Sequence, residues 1–151
     1  MANPVRRADR MRTAPPRRKT SPLRFFRAWL ILGLVMWLTV VILTLIPPTE
    51  AVPIAFDIND KFAHALAYAG LTAWFGLVLL GRYLLFIALG LLAQGVGLEF
   101  LQGLTMYRMF EVADMVANGV GVLAGALLML TPLKRGLLWF EQLTGISRES
   151  Q

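Results

Sequence analysis

Residues 28–46, AWLILGLVMWLTVVILTLI, contain no ionisable side chain. At 1.5 Å per residue a helix of that length crosses the roughly 30 Å hydrocarbon layer of a bilayer. Pro47 and Pro48 stop it. A cleaved leader would have a shorter apolar region followed by small residues, and only Thr49-Glu50-Ala51 comes near that pattern, so a retained span is expected. Three more apolar stretches follow at 61–80, 83–104 and 111–130. The loop before the first of these offers Asp57, Asn59 and Asp60 as helix caps, Gly81-Arg82 makes a short turn, and a loop covers Thr105 to about Phe110. Leu137 to Phe140, beside Lys134, Arg135 and Trp139, reads as a short interfacial amphipathic helix. The expected fold is all-α, a polytopic bundle of four transmembrane helices over residues 25–132, with a disordered basic tail at 1–24 and an interfacial tail at 133–151.

Composition agrees with the spans. The 151 residues are 57% hydrophobic, with mean hydropathy +0.62, beyond what a soluble domain hides from water. The absence of cysteine removes disulfides, thiolate metal sites and cysteine nucleophiles. The net charge of +6 is concentrated at the start, where Arg6, Arg7, Arg10, Arg12, Arg17, Arg18, Lys19 and Arg24 alternate with Pro15, Pro16 and Pro22. No aromatic residue interleaves these charges to stack bases, so nucleic acid is not an expected partner. The tail suits a topology determinant and can also rest on anionic lipid. Basic residues flank the first span's start, the second loop (Arg82) and the C-terminal tail (Lys134, Arg135, Arg148), whereas the first loop region has only Lys61 and the third only Arg108. Both termini are therefore expected in the cytoplasm and the first and third loops outside. Trp29, Tyr83, Tyr107 and Trp139 fit interfacial belts at span ends.

Polar residues within the spans gather near the outer side. Asp60, His64 and Tyr68, four apart, share one helix ridge with Lys61 beside it. Glu99 and Gln102 make a second ridge about 5 to 9 Å below the third loop. Asp114 and Asn118 make a third at similar depth, with Arg108 in the loop between. Ionisable groups in a bilayer are costly and usually functional, and matching depths let the three ridges face one another. Ala113, Ala117, Gly121 and Gly125 form a small-residue stripe along which helix backbones can approach. Gln94, near mid-span, suits an interhelical hydrogen bond, and Gly90, Gly95 and Gly97 suit close packing or a bend.

The conjunction Asp60-Lys61-x-x-His64, Glu99-x-x-Gln102, Arg108, Asp114 and Asn118-x-x-Gly121-x-x-x-Gly125 resembles the VanZ-like family of small bacterial membrane proteins. It covers roughly Ile46 to Leu130, and Tyr107 stands where the family usually has a glycine before the arginine. The resemblance implies a cell-envelope role in the bacterial cytoplasmic membrane and a link to glycopeptide resistance; it supplies no biochemical activity.

Each sharp reading has a plainer competitor. His64 suits a proton carrier or ligand, but a lone histidine beside an aspartate is more often its satisfied structural partner. His64 with Asp60, Glu99 and Asp114 offers hard-ligand coordination, but no HxxxH or HExxH spacing accompanies it, so neither metal nor other cofactor is expected. Glu99 with Asp114 or His64 can act as base and acid, or only lock the bundle by ion pairing. The leading expectation is an outward polar pocket that binds the head group of a membrane lipid or lipid-linked envelope precursor. Arg108 and Lys61 would take phosphate, and Glu99, Gln102, Asp114 and Asn118 would take hydroxyl or amide groups. A membrane enzyme, an ion-coupled transporter and a purely structural protein are the alternatives.

Overall fold

The computed structural model describes residues 23–46, 60–105 and 110–144. These form helices α1 (Phe26–Leu45), α2 (Asp60–Val78), α3 (Leu84–Gly103) and α4 (Val112–Leu130), a 3-10 turn over Pro132–Arg135, and α5 (Gly136–Leu143). No strand occurs among the described residues. Three helices, α1, α3 and α4, are long and apolar enough to cross a membrane. The fourth long helix, α2, has 19 residues, but Asp60, Lys61 and His64 in its opening turns make it more polar than the others.

Successive long helices run antiparallel. At one end Gln102 of α3 meets Thr44 of α1, and Lys61 of α2 meets Glu111 before α4. At the other end Lys134 lies against the Gly81 turn, and Glu141 of α5 meets the start of α1. We refer to these as the polar end and the basic end.

The centre is built on α2, which contacts α1, α3 and α4 and packs most extensively on α4. Small residues set that contact: a Cβ at Gly121 would overlap the Ala65 carbonyl oxygen, and one at Gly125 would stand 2.5 Å from the Ala69 carbonyl oxygen and 2.8 Å from Thr72 Cβ. The glycine half of the sequence stripe thus lets two backbones touch, which gains dispersion and weak hydrogen bonding where lipid offers no hydrophobic drive. Ala117 is buried with Gly121 and Gly125, while Ala113 is exposed in the first turn of α4. Close contact therefore begins at Ala117.

Tyr68, Leu71, Leu91 and Val122 form the inner core. A second cluster, Leu23, Val78 and Leu137, closes the basic end with Trp29 and Trp74 packed against it. By contrast α1 is apolar all round and buries only Gly33, where a Cβ would meet the Trp74 ring at 2.7 Å. Its outer side, including Ile31, Leu34, Val35, Leu38 and Leu43, is exposed, as are Val112, Val116, Val120 and Leu127 on α4, while Met36, Trp37 and Val40 pack half-buried against the core. So wide an apolar surface suits lipid rather than water.

The helix bounds fall within a few residues of those read from sequence, with two differences. The second helix stops at Val78 rather than 80, because Leu80 and Gly81 both take positive φ, 53° and 71°. Gly81 N–H then reaches the Gly76 carbonyl at 2.8 Å and Leu80 N–H the Leu77 carbonyl at 3.3 Å, the paired bonds of a Schellman ending. At the N-terminus, Leu23 and Arg24, assigned to the tail by sequence, belong to the fold: Leu23 is 1% exposed and Arg24 N–H is bound by Glu141. The rest of the basic tail, the cap residues Asp57 and Asn59, and Tyr107 lie outside the described residues.

Candidate functional site

Five of the eight residues singled out for a polar pocket meet at the polar end, all carried by α2 and α4. Because Asp60 and His64 are one turn apart on α2, and Asp114 and Asn118 one turn apart on α4, each pair projects from one side of its helix. The close α2–α4 contact turns those sides together. His64 Nδ1 lies 3.0 Å from Asn118 Oδ1, and its Nε2 lies 3.9 Å from Asp60 Oδ2 and 4.0 Å from Asp114 Oδ2. Lys61 Nζ is 2.8 Å from Glu111 Oε2 and 3.5 Å from Asp114 Oδ1. Lys61 and Glu111 are open to the exterior, at 41% and 52% side-chain exposure, while Asp114 is almost enclosed at 9%. The constellation therefore grades from a solvated ion pair at the rim to a buried carboxylate and amide beneath.

Glu111 was not singled out from sequence. Its position at the N-cap of α4 was readable, but its pairing with Lys61 depends on the α2–α4 register, which sequence spacing does not fix.

Two residues grouped with the pocket are used otherwise. Glu99, 1% exposed, accepts the Glu111 backbone N–H on Oε1, capping the start of α4 from another helix. Gln102 donates from Nε2 to the Thr44 carbonyl at 2.8 Å and so joins the end of α3 to the last turn of α1. Both act in the described structure as ties between helices. Arg108 lies outside the described residues.

Beneath the rim, Tyr68 Oη, Glu99 Oε2 and Asp114 Oδ1 are buried with no hydrogen-bond partner among the described residues. The Lys61 ammonium at 3.5 Å from Asp114 Oδ1 is an ion-pair contact without hydrogen-bond geometry. Asn118 Nδ2 and Tyr68 Oη both border the surface of Gly95, at 3.0 and 3.2 Å from where its Cβ would stand, so this glycine keeps room for the polar layer. Midway along the bundle, Trp37 Nε1 donates to Gln94 Oε1 at 2.7 Å, an interhelical bond between α1 and α3.

The basic end is organised by one acid. Glu141 of α5, 2% exposed, accepts the backbone N–H groups of Arg24 at 2.8 Å and Phe25 at 3.2 Å, together with the Trp29 indole N–H at 2.9 Å. Burial pushes its carboxyl up, but these three donors and the Arg24 charge outweigh it and hold the group below its ordinary range. Trp29 also packs edge-on to Trp74 and Phe140, each at 6.0 Å between ring centroids. The segment read as an interfacial helix is thus longer than expected, spanning Gly136–Leu143, and is docked on the start of α1.

The described residues are all-helical, with three helices long and apolar enough to cross a membrane and a polar cluster at one end of the bundle. No family model, curated protein or solved structure matches the chain.

Proposed function

We propose that this chain is a VanZ-like, four-span protein of the bacterial cytoplasmic membrane, with both termini in the cytoplasm, whose polar end binds the head group of an envelope lipid or lipid-linked glycan precursor. The carrying observation is the convergence of Asp60, Lys61, His64, Asp114 and Asn118 on one end of the bundle, with a cation at the rim and an amide and carboxylate beneath. A phosphate-bearing head group meets Lys61 first, and hydroxyl or amide groups then reach Asp114 and Asn118. Arg108, in the adjoining loop, is a second phosphate ligand in this reading.

The topology is supported by the distribution of charge between the ends. Arg82, Lys134 and Arg135 lie at the end opposite the cluster, beside the Glu141 latch that joins the described chain's first and last helices. A link to glycopeptide resistance follows from the family resemblance alone. Glu99 does not favour the enzyme alternative, because it is enclosed and already holds the α4 backbone. The structural alternative draws on that same use of Glu99 and on the use of Gln102.

Lipid-resolved mass spectrometry of protein released from its native membrane, comparing wild type with Lys61→Ala and Arg108→Ala, tests the reading. A co-purifying phospholipid or glycolipid that both variants lose supports head-group binding. Identical lipid profiles in variants that accumulate normally would contradict head-group binding.

A further inference from the structure

The polar end holds a set of groups that ion pairing alone does not complete. Asn118 Oδ1 accepts from the His64 ring at Nδ1, 3.0 Å away, so in the neutral ring Nε2 presents its lone pair. That nitrogen faces Asp60 Oδ2 at 3.9 Å and Asp114 Oδ2 at 4.0 Å, beyond hydrogen-bond reach of either. The imidazole is nine-tenths enclosed, at 10% side-chain exposure. That ring nitrogen, without a hydrogen-bond partner among the described residues, thus lies near both carboxylates, and one ligand atom from each of Asp60, His64 and Asp114 lies within 4.8 Å of the others.

We propose that Asp60, His64 and Asp114 bind one divalent transition-metal cation, with Zn2+ the best-fitting occupant. One imidazole nitrogen with two carboxylate oxygens is a mixed donor set suited to zinc or manganese. Around a tetrahedral zinc with bonds of about 2.1 Å, ligand atoms stand roughly 3.4 Å apart. Closure therefore needs the 3.9 Å Asp60–His64 and 4.0 Å His64–Asp114 separations each to shorten by about half an ångström, within the reach of small side-chain rotations. Asn118 has the place of the outer partner that fixes ring orientation in metal-bound histidines. Lys61, 3.5 Å from Asp114 Oδ1, places a positive charge beside the site that opposes any cation there electrostatically.

The site is a property of the free protein and does not depend on head-group binding. Full-length protein, with its affinity tag removed, is stripped with a chelator in detergent and dialysed against Zn2+ alone, then in parallel against Co2+ alone. Metal content and the visible Co2+ spectrum are read. One cation per chain is expected, with affinity reduced tenfold or more in His64→Gln, Asp114→Asn and Asp60→Asn. Asn118→Ala is expected to lose about 10- to 100-fold, and Lys61→Met to bind as tightly as wild type or more so. Added Zn2+ should raise the melting temperature of wild type and not of His64→Gln. Wild-type protein with native helical content that takes up no metal would overturn the proposal. So would binding that persists unchanged in His64→Gln or in Asp60→Asn, whose exposed side chain makes it the substitution least disruptive to folding.

Discussion

Trp29 and Glu141, 112 positions apart in the chain, share a 2.9 Å hydrogen bond that ties α1 to α5. The same carboxylate receives the Arg24 and Phe25 backbone N–H groups. It therefore caps α1 in trans, a task that Phe25, at the N-cap without a side-chain hydrogen bond, does not perform.

Removing that carboxylate leaves three donors without their acceptor. Glu141→Ala is expected to lose about 1 to 3 kcal/mol of stability, measured by denaturation in mixed micelles with tryptophan fluorescence as readout. Full retention of stability would show that water replaces the latch without loss.

The latch also carries a pH signature. Because the folded-state pKa of Glu141 lies below its ordinary value of 4.5, its contribution is fully present above that value and is lost as pH falls through the lower folded one. The stability gap between wild type and Glu141→Gln should therefore hold from neutral pH to about pH 5 and shrink below it. A gap that widens in acid would reverse the sign of the interaction.

The helix contact at the centre predicts a contrast among glycines. Gly121→Ala and Gly125→Ala force a methyl group against the α2 backbone, which cannot rotate aside, and should each cost about 1 to 3 kcal/mol. Gly90→Ala meets nothing within 4 Å and should instead be neutral or stabilising by up to about 1 kcal/mol. Unfolding titrations of the three variants check this; equal effects would place the helix interface elsewhere.

The α2–α3 turn predicts a second contrast. Gly81 at φ 71° has no Cβ to clash, whereas Leu80 at φ 53° bears the left-handed conformation with one. Gly81→Ala should cost about 1 to 2 kcal/mol, and Leu80→Gly should recover part of the Leu80 strain. The same titration reads both.

Much of this architecture was legible because the physics behind it is periodic. Hydropathy marked the long helices, the rise per residue set the depth of each polar group, and spacing of four put Asp60 with His64 and Asp114 with Asn118. Helix rotation about its own axis was not encoded in that way. Glu99 and Gln102 both stand near the end of α3, yet one faces the start of α4 and the other the end of α1. Glu141 escaped notice because a lone acid in a tail segment ordinarily belongs in water; its one sequence signal was the apolar surround Gly136-Leu137-Leu138-Trp139-Phe140. Arg108 lies outside the described residues, and its place in the site rests on sequence spacing.

Since the sequence contains no cysteine, single introduced cysteines report sidedness without background. The most direct measurement is labelling of Lys61→Cys and Arg82→Cys in intact spheroplasts with a membrane-impermeant maleimide, before and after permeabilisation. An outward-opening polar end requires position 61 to react at once and position 82 only after the membrane is breached. Reaction of position 61 solely after permeabilisation, or of both positions from the same side, would contradict it.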